Sequence, residues 1–227
     1  MQNHPRTVAI AMPYGGVVDR GTAHRVLRNT YALLSMTLLF SAAVAWAAVA
    51  FSLPAPGLIL TLVAYFGLLF GIHKLKNRGA AVGLVFALTG FMGWTLGPLL
   101  TRTLALPAGG QAVMLALGAT GAVFLALSAY ATTTKRDLSW LGGFLFAGMI
   151  VAVLAGLAAV FFQIPALALT VSAVVALLSA GLILFETKQI VDGGETNYVL
   201  ATVSLFVSIF NLFTSLLQLF GFMGSDE

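Results

Sequence analysis

Seven long runs of apolar residues alternate with short polar stretches along the chain. The hydrocarbon core of a bilayer is ~30 Å thick, and a helix needs about 20 apolar residues to cross it. Because backbone groups in lipid must be hydrogen-bonded within their own segment, each run is predicted to be a helix. The period-2 alternation typical of a membrane barrel is missing from these runs. The predicted spans are 30–52, 57–72, 79–100, 110–133, 139–162, 166–187 and 198–222.

Composition supports lipid as the solvent of most of the chain. Of the 227 residues, 60% are hydrophobic and 8% are charged, and the mean hydropathy is +1.02. A soluble domain carries roughly 25% charged residues, and a disordered chain is poor in apolar residues. The sequence therefore predicts an all-α integral membrane protein, a seven-transmembrane-helix bundle formed by residues 22–227. Residues 1–21 are predicted to form a flexible cytoplasmic N-terminal tail.

The basic residues indicate the orientation of the chain in the membrane. If the N-terminus is cytoplasmic, ten of the 11 Lys and Arg residues lie on the inner side, and Arg102 alone lies outside. This bias predicts a cytoplasmic N-terminus and a C-terminus on the outer side, with Asp226 and Glu227. The basic residues are scattered singly and form no patch with interleaved aromatics, so no nucleic-acid partner is predicted.

Span seven carries a line of polar side chains at spacings of 4, 3, 4 and 3 residues, which places them on one helical face. A polar stripe in the bilayer is expected to face protein or water rather than lipid. It could act as hydrogen-bonding contact between helices or line a hydrated path. In either case the C-terminal helix is predicted to be central. The stripe consists of Ser204, Ser208, Asn211, Ser215 and Gln218.

Glu186 is the one acidic residue within a predicted span, near the predicted cytoplasmic end of span six. Ionisable residues within a membrane are functional candidates by default. The alternative is a carboxylate that lies at the level of the lipid headgroups. Glu186 is therefore a candidate pH sensor or part of an ion pathway, and Lys188 does not share its helical face.

Glycines form a second pattern, and they predict close contacts between helices. Five lie along span three and two lie in span four. They are Gly79, Gly83, Gly90, Gly93, Gly97, Gly118 and Gly121.

Several kinds of intramembrane chemistry require residues that this sequence lacks. The chain has no cysteine, and its three histidines and all its aspartates lie outside the predicted spans. Span seven contains no lysine that could form a Schiff base, and no span offers a His or Lys base for a serine nucleophile. The sequence therefore predicts no catalytic residue, no metal site and no cofactor.

Several segments carry a resemblance to a known family. The stretch FETKQIVDGGETNYVLATVSLFVSIFNLFTSLLQLFG resembles the C-terminal signature of the Bax inhibitor-1 family, as do HRVLRNTYALLSMTL, PAPGLILTLV, ALTGFMGWTLGPLL and SAYATTTKRDLSWLGGFLFAGMI. The family fold is a seven-helix bundle around a central last helix. The sequence is most similar to the bacterial, YccA-like branch. That resemblance implies an inner-membrane protein, with its C-terminus in the periplasm, that binds and inhibits the membrane-anchored AAA+ protease FtsH in membrane-protein quality control. The protease's membrane regulators are implied as further partners.

Other members of this family are similar to pH-sensitive calcium leak channels, in which two Asp residues on helices six and seven pair with a basic residue. The resemblance places these positions at Glu186, at Ser208 and near Asn77–Arg78, with Asn211 as a further ion-pathway candidate. Because Ser208 stands where the second Asp would be, two coupled acids are not available here. The departure favours protease modulation over a calcium or cation leak, which remains the alternative.

The N-terminal stretch suggests how modulation could work. A flexible cytoplasmic segment of about 20 residues is a place where an unfolding enzyme can engage a chain. A bundle with few polar loops is expected to resist extraction. The hypothesis is a slow substrate that occupies the protease and so inhibits it.

Overall fold

The computed structural model describes residues 20–223, with side chains from Ala23 onward. All regular structure in that part of the chain is helical, and the seven helices are each long and apolar enough to cross a membrane, as predicted. Residues 1–19 of the tail predicted at 1–21, and the C-terminal residues Asp226 and Glu227, lie outside the described residues, whereas residues 20 and 21 belong to the first helix. The helices are α1 (Arg20–Ala50), α2 (Leu58–Leu75), α3 (Ala80–Leu104), α4 (Gly109–Thr133), α5 (Ser139–Phe161), α6 (Pro165–Val191) and α7 (Tyr198–Met223).

Three helices extend well beyond the apolar runs that predicted them. Helix α1 begins at Arg20 rather than at residue 30, α3 continues to Leu104, and α6 continues to Val191. Hydropathy reports only the part of a helix that suits hydrocarbon, whereas the hydrogen-bonded backbone continues through polar residues at the membrane surface. The extra turn of α6 places Lys188 on the same helix as Glu186.

Helix α7 is the centre of the bundle. It packs against α1, α3, α4 and α6, and 12 of its 26 residues are buried. By contrast, α2 packs chiefly on α3, and α5 packs chiefly on α6. The prediction of a central C-terminal helix is confirmed.

The glycines of α3 explain how closely α1 and α3 approach. A Cβ atom added at Gly97 would lie 2.7 Å from the Cβ atom of Ala48, and one added at Gly93 would overlap the backbone carbonyl oxygen of Ser41. Gly90 faces α1 in the same way, so the predicted close packing is confirmed at these three positions. It is wrong at four others, where an added Cβ would meet no atom within 4 Å. These are Gly79, Gly83, Gly118 and Gly121.

Candidate functional site between α6 and α7

Glu186 of α6 and Ser208 of α7 form a direct contact. The Ser208 hydroxyl oxygen lies 3.1 Å from Oε1 and 3.0 Å from Oε2 of Glu186. A hydroxyl has one proton to donate, so Ser208 bonds one carboxylate oxygen at a time while it stays close to both. Ser208 is only 1% exposed. The two residues that sequence singled out on neighbouring helices thus meet inside the bundle.

The contact is one end of a longer polar seam. Ser172, Ser179 and Glu186 are spaced seven residues apart on α6 and share one helical face. At the far end, the Ser172 hydroxyl donates to the Oε1 atom of Gln218, at 2.7 Å. Because α6 and α7 are antiparallel, the Ser172–Gln218 hydrogen bond lies on one side of Ser179 and the Glu186–Ser208 hydrogen bond lies on the other. We call this line of facing residues the α6–α7 seam: Ser172, Ser179 and Glu186 of α6 with Ser208 and Gln218 of α7.

Ser179 was missed by sequence reasoning, as was Ser172. Its side chain is fully buried, and its hydroxyl has no hydrogen-bond partner among the described residues. The signal that could have found both serines is the seven-residue spacing that ends at Glu186. That these α6 residues face the polar stripe of α7 becomes visible only from the register of the two helices in the structure.

The predicted stripe of α7 is partly enclosed. Ser208 and Ser215 are buried, and Asn211 is half-buried. Gln218 is exposed but is held by Ser172, whereas Ser204 is exposed. The stripe therefore faces protein in its middle and opens at its ends.

Arg78 is not brought to the carboxylate. It is exposed in the α2–α3 loop, and within residues 23–223 the recorded ion pair is Lys188 with Asp192, at 2.9 Å. The loop is held at the start of α7 by Asn197, whose Nδ2 atom donates to the carbonyl oxygen of Lys76, at 3.0 Å. A role for Arg78 in an ion pathway stays a prediction.

Lys188 is a third residue, after Ser172 and Ser179, that the sequence did not single out as part of the site. It is only 8% exposed, and its Nζ atom donates to the carbonyl oxygen of Thr134, the C-cap of α4, at 2.8 Å. Together with the Asp192 ion pair, this bond fastens the end of α6 to the end of α4. Lysine near helix carbonyls is favourable because those carbonyls carry partial negative charge.

Asp137 lies in the loop beside this anchor. Its Oδ1 atom accepts a hydrogen bond from the backbone N–H of Ser139, at 2.9 Å. This bond favours the charged carboxylate and lowers the pKa of Asp137. The start of α5 is therefore held by a side chain that stays ionised at neutral pH.

The chemistry of the seam is limited to hydrogen bonding and to a proton on one carboxyl group. Glu186 is the only acidic residue in the seven helices. In the described part of the chain, no group of three His, Cys, Asp or Glu residues could hold a metal ion. The seam joins two helices through hydrogen bonds, and a role of Glu186 as a pH sensor or in an ion pathway stays a prediction.

Comparison with known proteins shows the family to which the chain belongs. The sequence profile of the family described as inhibitor of apoptosis-promoting Bax1 matches residues 23–225. The chain is 52% identical over 206 residues to the modulator of FtsH protease YccA of Escherichia coli K12, covering 90% of this chain and 93% of that protein. The same identity holds for a protein of another E. coli strain that is named inner membrane protein YccA. An uncharacterised protein of Pseudomonas aeruginosa is 47% identical over 211 residues, or 93% of this chain and 95% of that one.

Proposed function

Because this chain belongs to the Bax inhibitor-1 family, we propose that it is an inner-membrane modulator of the membrane-anchored protease FtsH. The observation that carries the proposal is the extent of the match with a protein named for that activity. It covers 93% of E. coli YccA at 52% identity, so it includes nearly the whole helical bundle. The proposed activity is binding and inhibition rather than catalysis.

The proposed mechanism is slow degradation of the modulator itself. The Lys and Arg distribution supports a cytoplasmic N-terminus, where a processive unfolding enzyme could engage residues 1–19. Extraction would then pull on α1, which packs against α3, α6 and α7. Removing α1 would break its contacts with these three helices at the centre of the bundle. Extraction is therefore expected to be slow, and the protease stays occupied.

The first experiment is direct. Purified FtsH is reconstituted in proteoliposomes with and without this protein, and the rate at which it degrades a second membrane substrate is measured. We expect the two proteins to co-purify and the rate to fall as the modulator is added. Full activity at saturating modulator, without co-purification, contradicts the proposal.

The tail is tested by deletion of residues 2–19, which leaves α1 intact. We expect the deleted protein to be degraded more slowly and to inhibit more strongly, because its helical bundle still binds the protease but no longer offers the end from which extraction begins. The matched control replaces residues 2–19 with a Gly/Ser segment of equal length, which preserves a handle of the same reach and is expected to restore turnover. If the deletion leaves turnover unchanged, the role of the tail is rejected.

A cation leak is the second candidate, because Glu186 places one carboxyl group against α7 inside the bundle, although Ser208 stands where the resemblance would have a second acid. Liposomes containing the protein and a calcium-sensitive dye separate the two functions. Calcium flux that is lost in Glu186→Gln supports a leak. Absence of flux at every pH, together with inhibition of FtsH, supports modulation alone.

A further inference from the structure

Basic side chains are grouped on one side of the bundle, at the membrane surface where α1 begins. Among the residues whose side chains are described, five exposed cations belong to α1, to the end of α2 and to the loop that follows α2. We call them the α1–α2 basic cluster: Arg25, Arg28, Lys74, Lys76 and Arg78. The remaining cations at this surface are Lys135 and Arg136 of the α4–α5 loop and the buried Lys188 of α6.

Contacts with α7 place the two parts of the cluster at the same depth. The hydroxyl oxygen of Thr202 lies 3.4 Å from the carbonyl oxygen of Thr30 in α1. Five residues before Thr202, the Nδ2 atom of Asn197 donates to the carbonyl oxygen of Lys76, at 3.0 Å. Arg25 likewise precedes Thr30 by five residues, which in a helix is about 7 Å. The cluster therefore lies beside the start of the central helix.

Acidic residues are absent from the part of the chain that supplies the cluster. Residues 20–136 contain nine Lys and Arg residues and no Asp or Glu. Orientation in the membrane depends on Lys and Arg and hardly on acids, so it does not require an acid-free segment. The segment is instead suited to an anionic partner, which nearby carboxylates would repel.

The acids that do lie at this surface in the described chain leave the cluster unpaired. They follow residue 136, and they are Asp137, Asp192 and Glu195. Glu195 accepts a hydrogen bond from the backbone N–H of Asn197, at 2.7 Å, and the ion pair recorded within residues 23–223 joins Asp192 to Lys188. The five cations therefore keep their charge available to a partner.

The cations of α1 and α2 stand at the ends of exposed apolar lines on the same helices. On α1, spacings of 3, 4, 4 and 3 residues place one exposed line on a single face, and on α2 the spacings are 4, 3, 4 and 4. The lines are Arg25, Arg28, Ala32, Met36 and Leu39 on α1, and Ile59, Val63, Phe66, Phe70 and Lys74 on α2.

These lines decide between two kinds of anionic partner. An acidic protein segment in solution reaches the cations from the aqueous side and gains nothing from the apolar residues that follow them. A phospholipid has its phosphate at the membrane surface and its acyl chains in the hydrocarbon core. It therefore meets the cations and the apolar line of one helix at the same time.

We propose that the α1–α2 basic cluster binds the phosphate groups of anionic phospholipids of the phosphatidylglycerol class. Arg25 and Arg28 donate to phosphate oxygens, and the lysines at the end of α2 add positive charge. The acyl chains lie along the exposed lines of α1 and α2. A zwitterionic phospholipid is disfavoured, because its ammonium group would lie among cations. This site does not depend on the proposed modulation of FtsH.

Two pairs of cations provide matched variants. Arg25→Gln/Arg28→Gln removes two positive charges from the exposed line of α1. Lys135→Gln/Arg136→Gln removes two exposed positive charges from the same membrane surface, in a loop and directly before Asp137. Both variants lower the net charge equally, so non-specific attraction to anionic lipid changes equally. A third variant, Lys74→Gln/Lys76→Gln, tests the part of the cluster at the end of α2.

The experiment titrates the purified protein, in a neutral detergent, with phosphatidylglycerol or with phosphatidylcholine of the same acyl chains. Native mass spectrometry counts the bound lipids, and thermal unfolding verifies that each variant is folded. We expect the wild type to prefer phosphatidylglycerol by about tenfold or more, since each cation near an anionic surface contributes roughly fivefold. Arg25→Gln/Arg28→Gln and Lys74→Gln/Lys76→Gln are each expected to weaken its binding about tenfold, and Lys135→Gln/Arg136→Gln less than about threefold.

A competition distinguishes the lipid from free phosphate. Glycerol 3-phosphate has the phosphate of the headgroup but no acyl chain, and in large excess it is expected to leave the bound phosphatidylglycerol in place. Full displacement would reject a lipid site in favour of a phosphate site. Equal weakening in the α1 pair and the loop pair, or equal binding of the two lipids by the wild type, would also overturn the proposal.

Discussion

The Ser208 hydroxyl is the hydrogen-bond donor to the carboxyl group of Glu186. Both oxygens of Glu186 are within 3.1 Å of it. A buried acceptor without a donor is more costly than the hydrogen bond alone is favourable, because its hydration is lost as well. The side chain of residue 208 is therefore expected to influence stability through Glu186.

Replacing Ser208 with alanine removes the donor and leaves the carboxyl group in the bundle. We expect the free energy of unfolding to fall by about 1–2 kcal/mol, the range for buried polar contacts in membrane bundles. Reversible unfolding in mixed micelles measures the change. Ser204→Ala removes the same group from an exposed position of the same helix and is expected to change stability by less than about 0.5 kcal/mol. Equal effects of the two substitutions would contradict the role of the contact.

Sequence reasoning found one side of the seam and missed most of the other. The α7 stripe has five polar residues in a regular pattern, so one face is evident without a structure. The polar residues that α6 contributes to the seam are two serines and one glutamate, seven residues apart and separated mostly by small and apolar side chains. Serine is ordinary in membrane helices, so only the pairing of Ser172 with Gln218 shows its importance. Lys188 was missed because its partner Thr134 is 54 residues away in sequence.

The packing of helix α1 against helix α3 depends on close contact between their backbones. Small residues let two helices approach closely enough for dispersion contacts and weak hydrogen bonds to act along their length. Gly93 is the closest point, directly against the Ser41 carbonyl group. A side chain there must either displace backbone or separate the helices.

Gly93→Ala is expected to destabilise the protein by about 1–3 kcal/mol through this overlap. Gly83→Ala, in the same helix but with open space around the added Cβ, is expected to be close to neutral. Both variants are compared by thermal unfolding in the same detergent. A Gly93→Ala variant as stable as Gly83→Ala would show that the two helices can separate at no cost.

The hydropathy pattern predicted the seven helices, but it did not predict which of their glycines pack closely against another helix. Seven glycines met the same sequence criterion, and only the three that face α1 are packed closely. The pattern on one helix does not specify the partner or the crossing point. Those depend on how four helices arrange around α7, which is a property of the whole chain.

The whole molecule has a stable centre and a loosely held periphery. Within the most apolar stretch of each helix, 56% of α7 is buried but only 6% of α2. The buried residue recorded in α2 is Ile72, near its end. Local stability follows the number of buried contacts.

Hydrogen exchange is expected to show this gradient. In detergent micelles, the backbone amides of α2 are expected to exchange well before those of α7, because α2 can leave α3 without opening the centre of the bundle. Mass spectrometry of peptides from the two helices measures the difference. Equal protection of α2 and α7 would indicate that the seven helices open as one unit.

The orientation of the whole chain is testable because it has no native cysteine. Ala105→Cys and Lys135→Cys each place one thiol at an exposed position on opposite sides of the bundle. In spheroplasts, a membrane-impermeant maleimide is expected to label the first variant and to label the second only after lysis. The reverse pattern would reject the orientation that the Lys and Arg distribution favours.

The central position of α7 has a consequence for biosynthesis. This helix is the last of the seven to leave the ribosome, yet α1, α3, α4 and α6 all pack against it. Until it enters the membrane, the earlier helices can form only their side contacts, and the carboxyl group of Glu186 has no Ser208 to bond. The order of synthesis is thus opposite to the order of packing, so the nascent chain passes through an open intermediate that a membrane chaperone or a quality-control protease can recognise.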